Sequence, residues 1–558
     1  MSSYSSGSSS WVKGLVGTIV VLGLLAAIYW FFVGFWFDSA AQVFRGFLNG
    51  IWFSWLFPNG WNIFMATPLF TVLVCAVIIF IAWIIRDVNE SSPVVAGILT
   101  TVLVIVSLHA IFIRGVWETE EKGARHYLQT TTFVVHDPNK MPDMLTKFGE
   151  SNETFVKVVA GDLPSGWLSR VASATGARNV ISKTGDAISN TELMLDTMTY
   201  IYGEGQTGTW TAIRDGKNQV NIYGVASWDG SGESVKTCEF TGDNELNRAF
   251  GGMWGTNLTN AIAGKYPLFT YDESDIWGYC DGDKPVIVIP GTKTVGYSTR
   301  TVDQANGVVT VVGSPSGEPV IEHDESVDPG EYPGPVYPQR LVNQQLSGIA
   351  WAAGRHLRMF ENFGLETTSV SSQEGNNKNF LLKSATDGRL YWVTPLRPRS
   401  TDSQTLIAYS VTPADSIKTD QLNEQKVYIL DSNDPRIVNL DNLQAKVIDK
   451  VRTTDPGFFT GDSPGKIVEF LPVADDKWQV FAEVNGRVKY RIDVNVGAQI
   501  TASVVSIDKD QPQTGETGSP TSVTMTCDDP SSLDDARLAQ CLAGLANELQ
   551  KRQSEPAK

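Results

Sequence analysis

The sequence predicts a multi-span α-helical membrane anchor followed by α+β soluble domains with antiparallel sheets. Two observations carry this prediction. Residues 14–37, 68–85 and 94–113 are apolar stretches, each close to the roughly 20 residues that a helix needs to cross a bilayer. Everything after residue 116 is acidic and polar, and there amphipathic helical stretches alternate with period-two apolar runs broken at Asp-Gly and Asn-Gly pairs.

Residues 1–13 are Ser-rich and read as a disordered tail ahead of a membrane domain over 14–116. The first stretch, 14–37, carries no charge. Ser39-Ala40-Ala41 would serve as a cleavage site, but the stretch is longer than the roughly 7–15 apolar residues of a signal peptide. Over 39–57, Ala40, Val43, Phe44, Phe47, Leu48 and Ile51 recur at helical spacing opposite Gln42, Arg45 and Asn49, the pattern of a helix lying in the membrane interface. Pro58-Asn59-Gly60 ends that helix. His109 falls inside the third stretch, an ionisable group at membrane depth. Lys13 and Arg86 flank one side, and Arg45, Arg114, Lys122 and Arg125 the other, which by the positive-inside rule places the large domain in the cytoplasm.

The cysteines argue for the opposite side. Cys75 lies in the second stretch, while Cys238, Cys280, Cys527 and Cys541 form two local pairs in a loop-rich context. An even set of this kind reads as disulfides, hence as an oxidising compartment. On that ground the expectation is a multi-pass integral membrane protein with its large domain on the outer face. Of the chain's net charge of −17, the part up to residue 116 carries +1 (Lys13, Arg45, Arg86 and Arg114 against Asp38, Asp87 and Glu90), so the remainder carries −18. A field of that sign repels nucleic acid.

The soluble part is too long for one core. A first α+β domain is expected over 117–327, a Pro-rich spacer over 328–339, a second α+β domain over 340–509, a linker over 510–526, and a Cys-flanked helix over 527–552. In the first domain, 141–148 and 193–198 read as helices, and 209–213 with 219–226 as a hairpin through Asp215-Gly216. A strand over 286–289 ends at Pro290-Gly291, and Asn306-Gly307 marks a further hairpin turn. The second domain opens on a helix over 340–360, with Leu341, Leu346, Ile349, Ala353 and Leu357 on one face. Strands follow at 380–383, 390–393, 406–411, 427–430 and 467–471. In the last hairpin, a three-residue loop of Val484, Asn485 and Gly486 sets Ala482 against Val488 and Val480 against Tyr490, which keeps the apolar rows on one face. The terminal helix starts at Ser532 and carries Leu538, Leu542, Leu545 and Leu549 as a stripe.

Chemical motifs are weak. Gly313-Ser-Pro-Ser-Gly317 has proline where a nucleophile elbow needs serine, and Gly264-Lys265 and Gly465-Lys466 lack the rest of a phosphate loop. No cofactor motif is present. His356, between Arg355 and Arg358, offers an anion site. Asp272, Asp275, Asp281 and Asp283 form the densest carboxylate cluster and the metal candidate, although their spacing lacks the order of a calcium loop. Asn152 and Asn257 head glycosylation sequons. The expected function is a membrane-anchored, extracytoplasmic binding or scaffolding protein, with a subunit of a secretion or conjugation assembly as its sharper form. Its partners would be membrane lipid and a protein or a second copy of the chain. The alternatives are a hydrolase using the acidic cluster and a sensor acting through a partner.

Overall fold

The computed structural model describes residues 117–506, apart from short stretches of which 137–156 and 369–378 are the longest. The expected spans at 14–37, 68–85 and 94–113, the interfacial helix at 39–57, His109, the helix at 141–148, and the C-terminal linker and helix with Cys527 and Cys541 lie outside the described residues.

On the described residues the predicted fold class is corrected. They form 22 strands in five sheets with six α-helices, mainly β rather than a helical anchor leading into α+β domains. None of these helices is long and apolar enough to cross a membrane. The longest, Leu440–Thr454, has 15 residues, which is about 22 Å at 1.5 Å per residue against a hydrocarbon core of about 30 Å. It also carries Asp441, Lys446, Asp449, Lys450 and Arg452. The multi-pass membrane placement, with its outer-face domain, is corrected on the same finding.

The expected all-antiparallel pairing is corrected too. A seven-stranded sheet runs Leu365–Thr367, Leu390–Pro398, Ala408–Pro413, Gln425–Ile429, Thr131–Val135, Lys157–Ala160, with Phe380–Lys383 also on Leu390–Pro398. Within it, Thr131–Val135 is parallel to both of its neighbours. That strand is buried along its whole length because the sheet is covered on both sides. Phe133 and Val135 face the cluster that holds Leu128, Leu341, Leu346 and Trp351. Val134 faces the cluster that holds Leu443, Val447 and Phe470.

Two helices, Trp117–Leu128 and Gln339–Ile349, cover the first face. A polar knot ties them to the Arg300–Val312 strand: the Tyr127 hydroxyl donates to Gln344 at 2.5 Å, and Asp303 accepts from Arg340 at 3.0 Å and from Gln344 at 2.6 Å. The helix expected over 340–360 is two helices, because Gly354 sits at φ +88 and a second helix, Arg355–Phe360, starts from it. On the other face lie the helix Leu440–Thr454 and a meander of Lys466–Ala474, Lys477–Val484, Arg487–Asn495 and Thr501–Ser506. The meander's central hairpin takes another route to the predicted one-sided row. Val484 pairs with Arg487 across a two-residue connection, and a bulge after Glu483 then sets Ala482 on Tyr490, Val480 on Ile492 and Trp478 on Val494.

Residues 191–324 build two further sheets. A five-stranded one centres on Gly208–Gly216 and Ile222–Trp228, and a four-stranded one runs Val320–Asp324, Arg300–Val312, Lys284–Tyr297, Trp277–Asp281. Ile213, Ile222, Ile287, Ile289, Val309 and Val311 share their core. Asn306-Gly307 is not a hairpin turn but a bulge within one long strand. Gly307 has φ +67, and a Cβ there would meet the Asp324 carbonyl oxygen at 2.2 Å. Gly307→Ala is therefore expected to lower unfolding free energy by about 2 kcal/mol, summing the left-handed penalty and the forced strand shift. Urea unfolding of the variant within about 0.5 kcal/mol of the parent, the ordinary range for a surface change, would refute this account.

Within the Pro-rich 328–339 segment, residues 328–331 are exposed and residues 334–338 run through the interior. Val336 and Tyr337 are fully buried, and both of their N–H groups donate to the Ala414 carbonyl, at 2.7 and 3.1 Å. Two indoles donate to it in turn, Trp277 to the Pro335 carbonyl at 2.8 Å and Trp392 to that of Tyr337 at 2.9 Å. One buried cluster accordingly draws on residues before and after this segment.

Candidate functional site

Where the helix Ala174–Asp186 begins, the first turn meets the meander. Ser173 is a buried N-cap whose Oγ accepts from the Gly176 N–H at 2.9 Å. Its hydroxyl in turn donates to Glu483, and the Ala174 N–H donates to Glu469. Two buried carboxylates thus sit at the positive end of a helix dipole. Glu469 occupies a bulge of its strand at φ +51, an uncommon backbone position for a residue with a side chain.

Arg170 lies just ahead of the helix. Its backbone exchanges hydrogen bonds with Gln479, accepting at 2.9 Å and donating at 3.2 Å. Its guanidinium donates to the Leu381 carbonyl at 3.1 Å and approaches Glu469 at 3.8 Å. It also lies over the rings of Tyr200 (5.4 Å) and Trp210 (5.2 Å). Arg170, Tyr200, Trp210 and Trp392 line a cleft of about 290 Å³, with Arg178 and Asp196 also in its wall. Ser274, Gln339 and Asn379 supply further polar groups to the lining.

Burial dominates the electrostatics here. Desolvation pushes the Glu469 carboxyl up to about 7, against the opposing pull of the Arg170 charge. Asp275 is likewise raised to about 7 by burial, although it accepts from the backbone N–H groups of Gln339 and Arg340 at the start of their helix. Asp215 is raised to about 6, again chiefly by burial. Each of these folded-state values exceeds the unfolded one, so the stability they contribute is complete below about pH 4 and is lost as pH rises through 6 to 7. Asp387, Asp434 and Asp455 are held below the usual range by their hydrogen bonds, outweighing partial burial, and act in the opposite window, losing their contribution as pH falls. The urea midpoint is expected to decline from pH 5 to pH 8 and to decline less in Glu469→Gln. A midpoint that climbs over that range contradicts the assignment.

The acidic cluster singled out in the sequence does not converge. Asp272 caps its own short turn through Ser274, and Asp275 is buried against the helix Gln339–Ile349. Asp281 and Asp283 are exposed beside the turn joining Trp277–Asp281 to Lys284–Tyr297. Among the described residues no group of three or more His, Cys, Asp and Glu could hold a metal ion. Cys238 and Cys280 form a disulfide between the five-stranded and four-stranded sheets. His356 is exposed, with Glu361 at 4.0 Å, and Arg358 stacks on Trp351. Asn257 of the second sequon is buried as a helix cap, donating to the Phe250 and Gly252 carbonyls, so a glycan has no room there.

None of the cleft residues stood out in the sequence. The available signal was Glu469 itself, a charge inside the apolar run Ile467-Val468-Glu469-Phe470-Leu471. No protein-family model, curated protein or solved structure matches the chain.

Proposed function

We propose that the chain is a binding or scaffolding protein whose described part takes up a ligand, or a segment of a partner, in the cleft bounded by Arg170, Trp210 and Trp392. The composition of that cleft supports the reading. Arginine and tryptophan are the side chains that carry most of the energy at recognition sites, and here two arginines and two tryptophans share one wall set. The rings are buried and held by bonds of their own, Trp210 donating to the Ala172 carbonyl at 3.1 Å and Trp392 to that of Tyr337, so the wall they form is fixed in position. The Ser274 hydroxyl in the lining donates to Asp272 at 2.7 Å, and the lining holds no histidine to activate it.

A thermal-shift survey tests this. The probes are acetylated amino acids, their amides and simple amines, applied to the full chain and to Thr175→Trp, which fills the cleft from the helix side. Stabilising probes that lose their effect in the variant and are recovered chemically unchanged are the expected result. Probes that stabilise both proteins equally, or that emerge hydrolysed, would sink the reading.

A further inference from the structure

We infer that the strand Thr501–Ser506 pairs with the same strand of a second copy of the chain, antiparallel about a two-fold axis at Ser503, so that two meanders join into one continuous sheet. The inference does not depend on the cleft.

This strand ends its sheet. Arg487–Asn495 borders it on one side, in a ladder that runs without a bulge from Asn495 opposite Thr501 to Tyr490 opposite Ser506, and among the described residues no strand borders the other. Its burial alternates: Ala502 and Val504 pack toward the core of the meander, while Thr501, Ser503 and Val505 are exposed. A regular, exposed strand of this kind offers a row of peptide groups for another strand to bind.

Proteins that stay monomeric block such edges, chiefly with charge, and this chain does so elsewhere. The other end strands of its four larger sheets carry Lys157 and Glu366, Glu322 and Asp281, Glu192 and Lys236, and Lys466. Thr199–Tyr202 has no charge, but its Tyr202 N–H donates to the Pro333 carbonyl, so the Pro-rich segment covers it. Thr501–Ser506 has no charge, no proline and no bulge. No Asp, Glu, Lys or Arg occurs from residue 496 to residue 507.

A second copy is the occupant that this edge fits. Across a two-fold axis a charge near the strand centre would meet its own copy, so an edge free of charge is what self-pairing requires. A basic partner, which the net charge of −17 would attract, finds no acidic side chain on this strand to recognise. Centred on Ser503, the pairing sets Thr501 opposite Val505 and Ala502 opposite Val504 of the second copy, and each row stays on its own face. Centring on Val504 would instead oppose Val505 with Ser503 and Ala502 with Ser506, which covers less apolar surface.

Disulfide trapping in the full chain tests the register. Across the axis the two Ser503 Cα atoms would stand about 4.5–5.5 Å apart, inside the roughly 4.4–6.8 Å that a disulfide bridges. Ser503→Cys should therefore form a covalent dimer under mild oxidation. Thr501→Cys, on the same exposed row but away from the axis, should stay at the background set by the cysteines of the parent. Light scattering tests the association itself. The parent should form a dimer that tightens from low salt to about 0.5 M NaCl, as screening relieves the repulsion between two acidic copies. Ser503→Lys should weaken that dimer about tenfold or more, because like charges then face each other across the axis, while its urea midpoint stays near that of the parent. If Ser503→Lys does not fold, the two cysteine variants carry the test. No cross-link at Ser503→Cys, equal cross-linking at Thr501→Cys, or a dimer that Ser503→Lys leaves unchanged overturns the inference. A monomeric parent overturns it too: amides over 501–506 that resist hydrogen exchange then assign the edge to another segment of the same chain, and amides that exchange freely show it unoccupied.

Discussion

Trp277→Ala is expected to lower the free energy of unfolding by about 3–5 kcal/mol, the range for deleting a large buried aromatic side chain. Trp277 is fully buried, and its ring lies against Gly334, which has no side chain to fall into the space left behind. Its Nε1–H is the donor to the Pro335 carbonyl, so truncation also strands a buried acceptor, itself worth about 1–3 kcal/mol. The proline-rich segment depends on such donors because prolines supply carbonyls to the interior but no N–H groups of their own. Trp277→Phe keeps most of the volume and loses only the hydrogen bond, so it should fall well short of the alanine variant. Guanidinium unfolding of both variants checks the ordering, and an alanine loss below about 1 kcal/mol, smaller than the stranded carbonyl alone, would refute it.

Local features of the fold were legible where a single strand pair or helix face decides them. The hairpin of Phe380–Lys383 with Leu390–Pro398 turns at Asp387-Gly388 as read, with Gly388 at φ +71. In the 477–495 hairpin, Trp478, Val480 and Ala482 do form one apolar row, but the strand is buried on both faces, with Gln479, Phe481 and Glu483 also inside, and two registers meet the row pattern. The chain uses a tight connection plus a bulge, and nothing local in the sequence separates that from a wider loop. The helix Leu440–Thr454 was missed although its signature is present: Asn439 caps it, accepting from Asp441 and Asn442, and Leu440, Leu443, Val447 and Val451 are the buried stripe.

Long-range pairing was beyond reach for a different reason. Thr131–Val135 lies between Gln425–Ile429 and Lys157–Ala160, roughly 290 residues from the first of these, and a continuous apolar run does not say which sheet it enters. The cleft inherits that difficulty, since Arg170, Trp210 and Trp392 come from three separate stretches of chain. The membrane expectation, in turn, gave the apolar stretches at 14–37, 68–85 and 94–113 the weight of the whole fold. The described residues instead place their apolar side chains in strands and short helices around three buried clusters.

Removing the Cys238–Cys280 bridge should cost nearly as much as the tryptophan. The two cysteines are 42 residues apart, and closing a loop of that length restricts the unfolded chain by about 4 kcal/mol in the entropy account. In the folded protein, Cys238 belongs to the edge strand Lys236–Glu239 of one sheet and Cys280 to the edge strand Trp277–Asp281 of the next, so the bond staples two sheets that no ladder joins. The second strand also carries Trp277 and follows the turn of Asp272, Ser274 and Asp275 that reaches the cleft and the start of the helix Gln339–Ile349. Loosening it therefore acts at both places. A Cys238→Ala/Cys280→Ala double variant is expected to unfold at lower guanidinium by the equivalent of about 4 kcal/mol. Dithiothreitol should move the parent to the same midpoint and leave the double variant where it is. A parent whose midpoint ignores the reductant while its free-thiol count rises would show that the bridge restrains nothing, and the stability of this region would then rest on the Ile213, Ile287 and Val309 core alone.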